Sequence, residues 1–230
     1  ANGYWKIAHH VPEKARNRCR RIKGSWRVPR NPEGVIGNDP VRTADNVSGH
    51  LSMNAAYVYK KFDYFGDGVS GRLIAQMYGR DEDVDVCNEQ LRLAALYYGY
   101  PVLSERQITS TYDWFRDAAH GMKDFLLKGP DGGIGLWMKG SVIKDGIEAI
   151  QAMIKKPKDS EMVDFLDTIP FEELVSQLKD FEKGKSTKFD CVMALICTLE
   201  AAGCIEYTLV TDEYKASNNK LMGAVTPIRN

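Results

Sequence analysis

The chain has 230 residues, 43% hydrophobic and 27% charged, with acidic and basic side chains in equal number. That fits one generous globular domain, or one with appendages, with enough residues to bury a real core. No apolar run approaches the ~18 residues of a membrane span and no signal peptide is visible, so a membrane-spanning or secreted protein is not expected.

The zero net charge hides a split. Residues 1–30 hold Lys6, Lys14, Arg16, Arg18, Arg20, Arg21, Lys23, Arg27 and Arg30 against Glu13 alone, a net of +8 that leaves −8 for the rest. A basic arm before an acidic body suggests contact with a polyanion; a solvated linker or an intersubunit arm is the plain alternative. Cys19, Cys87, Cys191, Cys197 and Cys204 show no C-x-x-C pairing and read as reduced thiols. His9 and His10 are adjacent while His50 and His120 are distant, so no histidine metal spacing emerges. A chain that starts at Ala1 is expected to be a fragment of a longer protein or a processed one.

In chain order, residues 1–33 read as an irregular or partly helical arm punctuated by Pro12, Pro29 and Pro32. Val35–Asn38 predicts a buried strand ending at Asp39, with Pro40 suited to the sheet rim because it has no N–H to offer. Residues 41–52 are a polar loop. Asn54–Phe62 and Arg72–Tyr78 predict a hairpin around the turn 63–68. Asp83–Tyr98 has helical spacing, with Gly99 as its stop and Pro101 just beyond. Val102-Leu103 is then a short buried strand ending at Glu105. Ser110–Leu127 is expected as a helix capped by Thr111, Gly129–Gly133 as a tight loop and Ile134–Lys139 as a fifth strand. Ser141–Lys155 is an amphipathic helix and Met162–Ile169 an ambiguous edge strand. Phe171–Phe181 is a helix led by Glu172 and Glu173, and Asp190–Ala202 a strongly apolar one. A small strand is expected at Glu206–Val210. The fold class is α/β: a mixed central sheet of about five or more strands flanked by helices.

Three acids stand out by position: Asp39 and Glu105 each end a strand, and Asp190 opens the last helix. If the first and fourth strands are neighbours, both strand acids reach one rim, and the last helix packed across the sheet brings Asp190 there. Mg²⁺ and Mn²⁺ prefer oxygen ligands, and phosphodiester cleavage by two metals needs carboxylates that flank and bridge the ions. Each acid also has a purely structural reading. Asp190 can be an N-cap, Glu105 can pair with Arg106 or Arg80, and Asp39 can be a turn residue before proline.

These residues resemble a family. Val35 to Pro40, with Gly37-Asn38-Asp39-Pro40 at its end, resembles the opening of the nuclease domain of tailed-phage terminase large subunits. Tyr78-Gly79-Arg80, the helix to Tyr97-Tyr98-Gly99 and Pro101 to Glu105 resemble the block that leads to its second acid. Phe171–Phe181 resembles its penultimate helix, and Lys188 to Leu195 its closing one. The resemblance covers roughly 34 to 202.

It implies an RNase H-like fold and a Mg²⁺- or Mn²⁺-dependent endonuclease, with two ions, that cuts concatemeric double-stranded viral DNA during packaging in the host cytoplasm. It maps the metal carboxylates onto Asp39, Glu105 and Asp190, with Asp45 as a further ligand. Where many members carry two consecutive acids, Phe189 stands in the first place. The implied partners are the terminase ATPase domain, the portal and the small terminase subunit. The implied layout is a linker over 1–33, a nuclease domain over 34–203 and an extension over 204–230. No Walker A phosphate loop occurs, so the chain is not expected to bind ATP. Candidate phosphate contacts are Arg42, Arg80, Arg106, Lys139 and Lys188. The competing readings are a RuvC-like resolvase or other RNase H-like nuclease, and a non-catalytic DNA-binding or docking module of the packaging complex.

Overall fold

The computed structural model describes residues 4–41, 53–81, 83–155, 165–181 and 189–205. Its centre is a mixed sheet of five strands. These are β1 (Trp5–Ile7), β4 (Gly34–Asp39), β5 (Asn54–Lys60), β6 (Arg72–Gly79) and β7 (Val102–Ser104), in the order β1-β6-β5-β4-β7. All pairings are antiparallel except β4 with β7. A separate hairpin joins β2 (Arg20–Ile22) to β3 (Ser25–Arg27).

Every residue of β4 is buried, as its apolar run demands of a strand covered on both faces. Alternation assigns the two faces. Val35, Tyr57 and Leu103 join one core cluster, packed against the helices α3 (Gly140–Ile154), α4 (Glu172–Asp180) and α5 (Asp190–Gly203). Ile36, Val58 and Val102 join the other, with α1 (Val84–Tyr98) and Phe115 of α2 (Ser110–Arg116). The helix α1 begins and ends on its sequence signals. The Asp83 carboxylate accepts from the Asp85 N–H, and Gly99 takes the left-handed conformation (φ 70°) that closes a helix.

The far end of β5 is pinned by charge. Lys60 is fully buried; its ammonium hydrogen-bonds Asp67 and Asp63 (3.2 Å) and lies 3.8 Å from Glu33. Glu33 also accepts from the Phe65 N–H, so one buried cation organises the β5–β6 turn. Burial pushes the Asp67 carboxyl up, but hydrogen bonds from Lys60 and His9 outweigh it and hold it below the ordinary range.

Several sequence expectations are corrected. The arm is in part irregular and partly helical as expected, with a 3-10 turn at Glu13–Ala15, but it also carries strands: Trp5–Ile7 pairs with β6 as the sheet's edge, and residues 20–27 form the β2–β3 hairpin. The helix expected over Ser110–Leu127 stops at Arg116, where the Asp117 carboxylate turns back to the Ala119 N–H and Gly121 takes φ 65°. Thr111 is buried inside that helix and does not cap it. Ile134–Lys139 makes only isolated bridges to neighbouring segments, because Gly135 (φ 77°) breaks the extended run. Of the ambiguous 162–169 segment, the described part is a short 3-10 turn at Leu166–Thr168, not an edge strand. All five cysteines are free. Among the described residues, no helix is long and apolar enough to cross a membrane. The strand expected at 206–210 lies outside the described residues.

Candidate active site

Register and alternation build the site. In the parallel β4–β7 pair, Asn38 lies opposite Ser104, and the Glu105 N–H donates to the Asn38 carbonyl (3.0 Å). Two steps from Val35 and Leu103 along each strand keep a side chain on the α5 face. Gly37 and then Asp39 therefore share that face with Glu105. The Asn38 amide points the other way and donates to the Ser104 hydroxyl (2.9 Å), tying the two strands directly beneath the acids.

The helix α5 crosses above them. It comes so close to β4 that a methyl group on Gly37 would drive into the backbone N, Cα and Oγ1 of Thr198. Its first residue, Asp190, is buried and accepts from the Met53 N–H (2.8 Å), just ahead of β5. The Cys191 N–H donates to Gln177 Oε1 on α4 (2.8 Å), so α4 sets the height of this helix end. Sequence reasoning placed Gln177 in the penultimate helix without a role at the site, and did not single out Met53. The signal for Gln177 was present: a glutamine in the apolar stripe Leu174, Leu178 and Phe181.

Electrostatics follow from this packing. Burial, the hydrogen bond with Glu105 and the charges of Glu105 and Asp190 push the Asp39 carboxyl well above the usual carboxylate range. Burial pushes Asp190 up to about 6, against the opposing hydrogen bond from Met53. Burial pushes the Cys197 thiol on α5 up as well, and the charges of Asp39 and Glu105 add to it. Asp39 is thus a buried carboxyl hydrogen-bonded to the half-buried Glu105, with Asp190 near enough to add to the repulsion on it. Among the described residues, no group of three or more His, Cys, Asp or Glu side chains is arranged to hold a metal ion as it stands.

A pH dependence follows. The Asp190 carboxyl ionises near 3.8 in the unfolded chain and near 6 in the folded one. Between those values the unfolded chain holds fewer protons, so stability falls as pH rises. Asp39 carries the fall to higher pH. In EDTA the melting temperature is expected to drop from about pH 4 to about pH 7, Asp190 alone removing about 3 kcal/mol. Thermal melts across that range check it, and stability that climbs with pH there would refute it.

The phosphate-contact candidates are placed unevenly. Arg80 follows β6 at the same rim as Asp39, because Gly79 pairs with Asn54 and Asp39 with Ala55. Arg106 follows Glu105, but its guanidinium pairs with Asp131 and sits over the Trp137 ring (5.3 Å). Lys139 is exposed just before α3. Arg42, Asp45 and Lys188 lie outside the described residues. The Gly129–Gly133 loop is a tight turn closed by the Gly129 N–H to the Gly133 carbonyl (2.8 Å). No protein-family model matches the chain, and no curated protein matches it.

Proposed function

We propose that this chain is a divalent-metal-dependent DNA endonuclease, the nuclease part of a terminase large subunit that trims concatemeric viral DNA. The observation that carries the reading is the hydrogen-bonded pair of buried Asp39 and half-buried Glu105 at the ends of neighbouring parallel strands, with Asp190 delivered beside it by α5. The three-strand meander with β7 parallel beside β4 supports an RNase H-like sheet.

The donor set fits Mg²⁺ or Mn²⁺. It is all oxygen, and burial with the neighbouring carboxylate charges opposes the ionised form of Asp39, which a bound cation would relieve. Asp39, Glu105 and Asp190 would hold one or two ions, with Asp45 as a further ligand. The chemistry such ions supply is activation of a water and stabilisation of the leaving oxygen. The protein's own part is to hold the carboxylates on rigid strand ends and to aim the α5 N-terminus at the negative charge gathered there. Arg80 and Lys139 would steady phosphates of double-stranded DNA, together with Arg42, Arg106 and Lys188. The ATPase domain, portal and small subunit would then be its partners during assembly in the host cytoplasm.

The test is cleavage of supercoiled plasmid with Mn²⁺, beside Asp190→Asn. Wild type is expected to nick and linearise the DNA, and the variant to lose about a hundred- to a thousandfold in rate. A wild type that is inert and gains no melting temperature from Mn²⁺ would instead fit the docking module.

A further inference from the structure

A second charged feature lies at the other end of β4. Between Arg16 and Arg30 the chain carries seven basic residues and no acid. The structure folds this stretch into the β2–β3 hairpin and the approach to β4, and the two enclose a cleft of about 600 Å³. Arg18, Arg20, Ile22, Arg27, Pro29 and Arg30 are among its walls.

The hairpin register carries an electrostatic cost. Arg20 lies directly opposite Arg27, so two like charges share one face of a two-stranded ribbon, and Ile22 sits on that same face, half exposed at 49%. Like charges in direct cross-strand register destabilise a hairpin. Only part of this charge is met internally. Arg27 pairs with Asp124, and Arg18 lies over the Phe65 ring and donates to the Asn31 carbonyl. Arg20 and Arg30 are exposed and have no carboxylate partner among the described residues. Arg21 and Lys23 extend the charge past the cleft along the exposed hairpin. Positive charge that outruns its own pocket suits a polymer better than a single small anion. Guanidinium forks suit phosphate oxygens, and Ile22 offers an apolar contact to sugar.

We propose that the β2–β3 hairpin cleft is a binding site for the phosphate backbone of nucleic acid, separate from the acid pair. The two lie at opposite ends of β4, about 20 Å of strand apart. The inference does not depend on the nuclease reading, because binding here needs neither metal nor cleavage.

The test is fluorescence anisotropy of a labelled DNA duplex in EDTA, titrated with wild type, Arg20→Gln/Arg30→Gln and Arg20→Lys/Arg30→Lys over a range of salt. Both positions are exposed, and circular dichroism melts would confirm that the variants fold. The glutamine pair is expected to weaken binding about tenfold at low salt and to reduce the salt slope by about 2, while the lysine pair keeps the slope. Unchanged affinity and slope in the glutamine pair would overturn the proposal, as would a wild type that does not bind the duplex. Polyglutamate binding as tightly as the duplex, with the same loss in the glutamine pair, would also overturn it in favour of an acidic protein partner. Cleavage is absent under these conditions, so a failed nuclease reading leaves the result intact.

Discussion

Asp39→Asn is expected to stabilise the metal-free protein while abolishing cleavage. Asparagine keeps the shape of the side chain, removes the ionisable group that burial and two neighbouring carboxylates oppose, and gives Glu105 an amide donor. Relief of that repulsion raises the melting temperature, each kcal/mol recovered being about 2–4 °C in a domain of this size. Under the nuclease reading the same change deletes a metal ligand, so the Mn²⁺-induced rise in melting temperature should shrink sharply and plasmid cleavage should fall about a hundred- to a thousandfold. The signature is the opposition of signs: more stable in EDTA, less responsive to Mn²⁺, inert. A variant less stable than wild type in EDTA would mean that Asp39 is an ordinary structural carboxylate. Thermal melts with and without Mn²⁺ decide between the two.

Gly37→Ala is expected to cost about 3 kcal/mol, through overpacking where the α5 backbone lies directly against β4. The added methyl meets backbone atoms of Thr198 as well as its hydroxyl, and backbone cannot rotate aside. Thr198→Ala in the same chain should therefore fail to restore stability. The damage should also reach chemistry. Asp190 rides on the helix that must shift, so whatever remains folded should respond less to Mn²⁺. Denaturant unfolding of Gly37→Ala and of the double variant checks this, and full rescue by Thr198→Ala would show that only the hydroxyl was in the way.

Much of this geometry was legible because it follows from short-range rules. Two apolar runs, each closed by an acid, become parallel neighbours when the hairpin β5–β6 and the crossover helix α1 return the chain beside β4, and that sets Asp39 beside Glu105. Asp83 and Gly99 announced the ends of α1. What stayed hidden was non-local. The edge strand Trp5–Ile7 is three residues long and gets its definition from β6, with no alternation of its own. The hairpin at 20–27 is largely solvent-facing, so it lacks a hydrophobic pattern. The end of α2 rests on an aspartate turning back on its own backbone, and the run at 134–139 is broken by a glycine whose left-handed conformation no composition rule reveals. For the site, Met53 and Gln177 act through hydrogen bonds across 137 and 14 positions, and their residue types alone give no hint of the partner. Gly37 could have been weighed more heavily, since a glycine inside a buried strand marks close approach of another backbone.

The order of the three acids along the chain also sets a timetable for synthesis. A ribosome that has passed β7 has made the strands carrying Asp39 and Glu105, yet Asp190 is still 85 positions away (190 minus 105). Until α5 emerges and docks, one face of the sheet is bare and the two early acids stand in water. There each is an ordinary surface carboxylate, ionised and weakly attractive to cations. Under the nuclease reading, a truncated product released early is a harmless one, and the last helix acts as the safety catch.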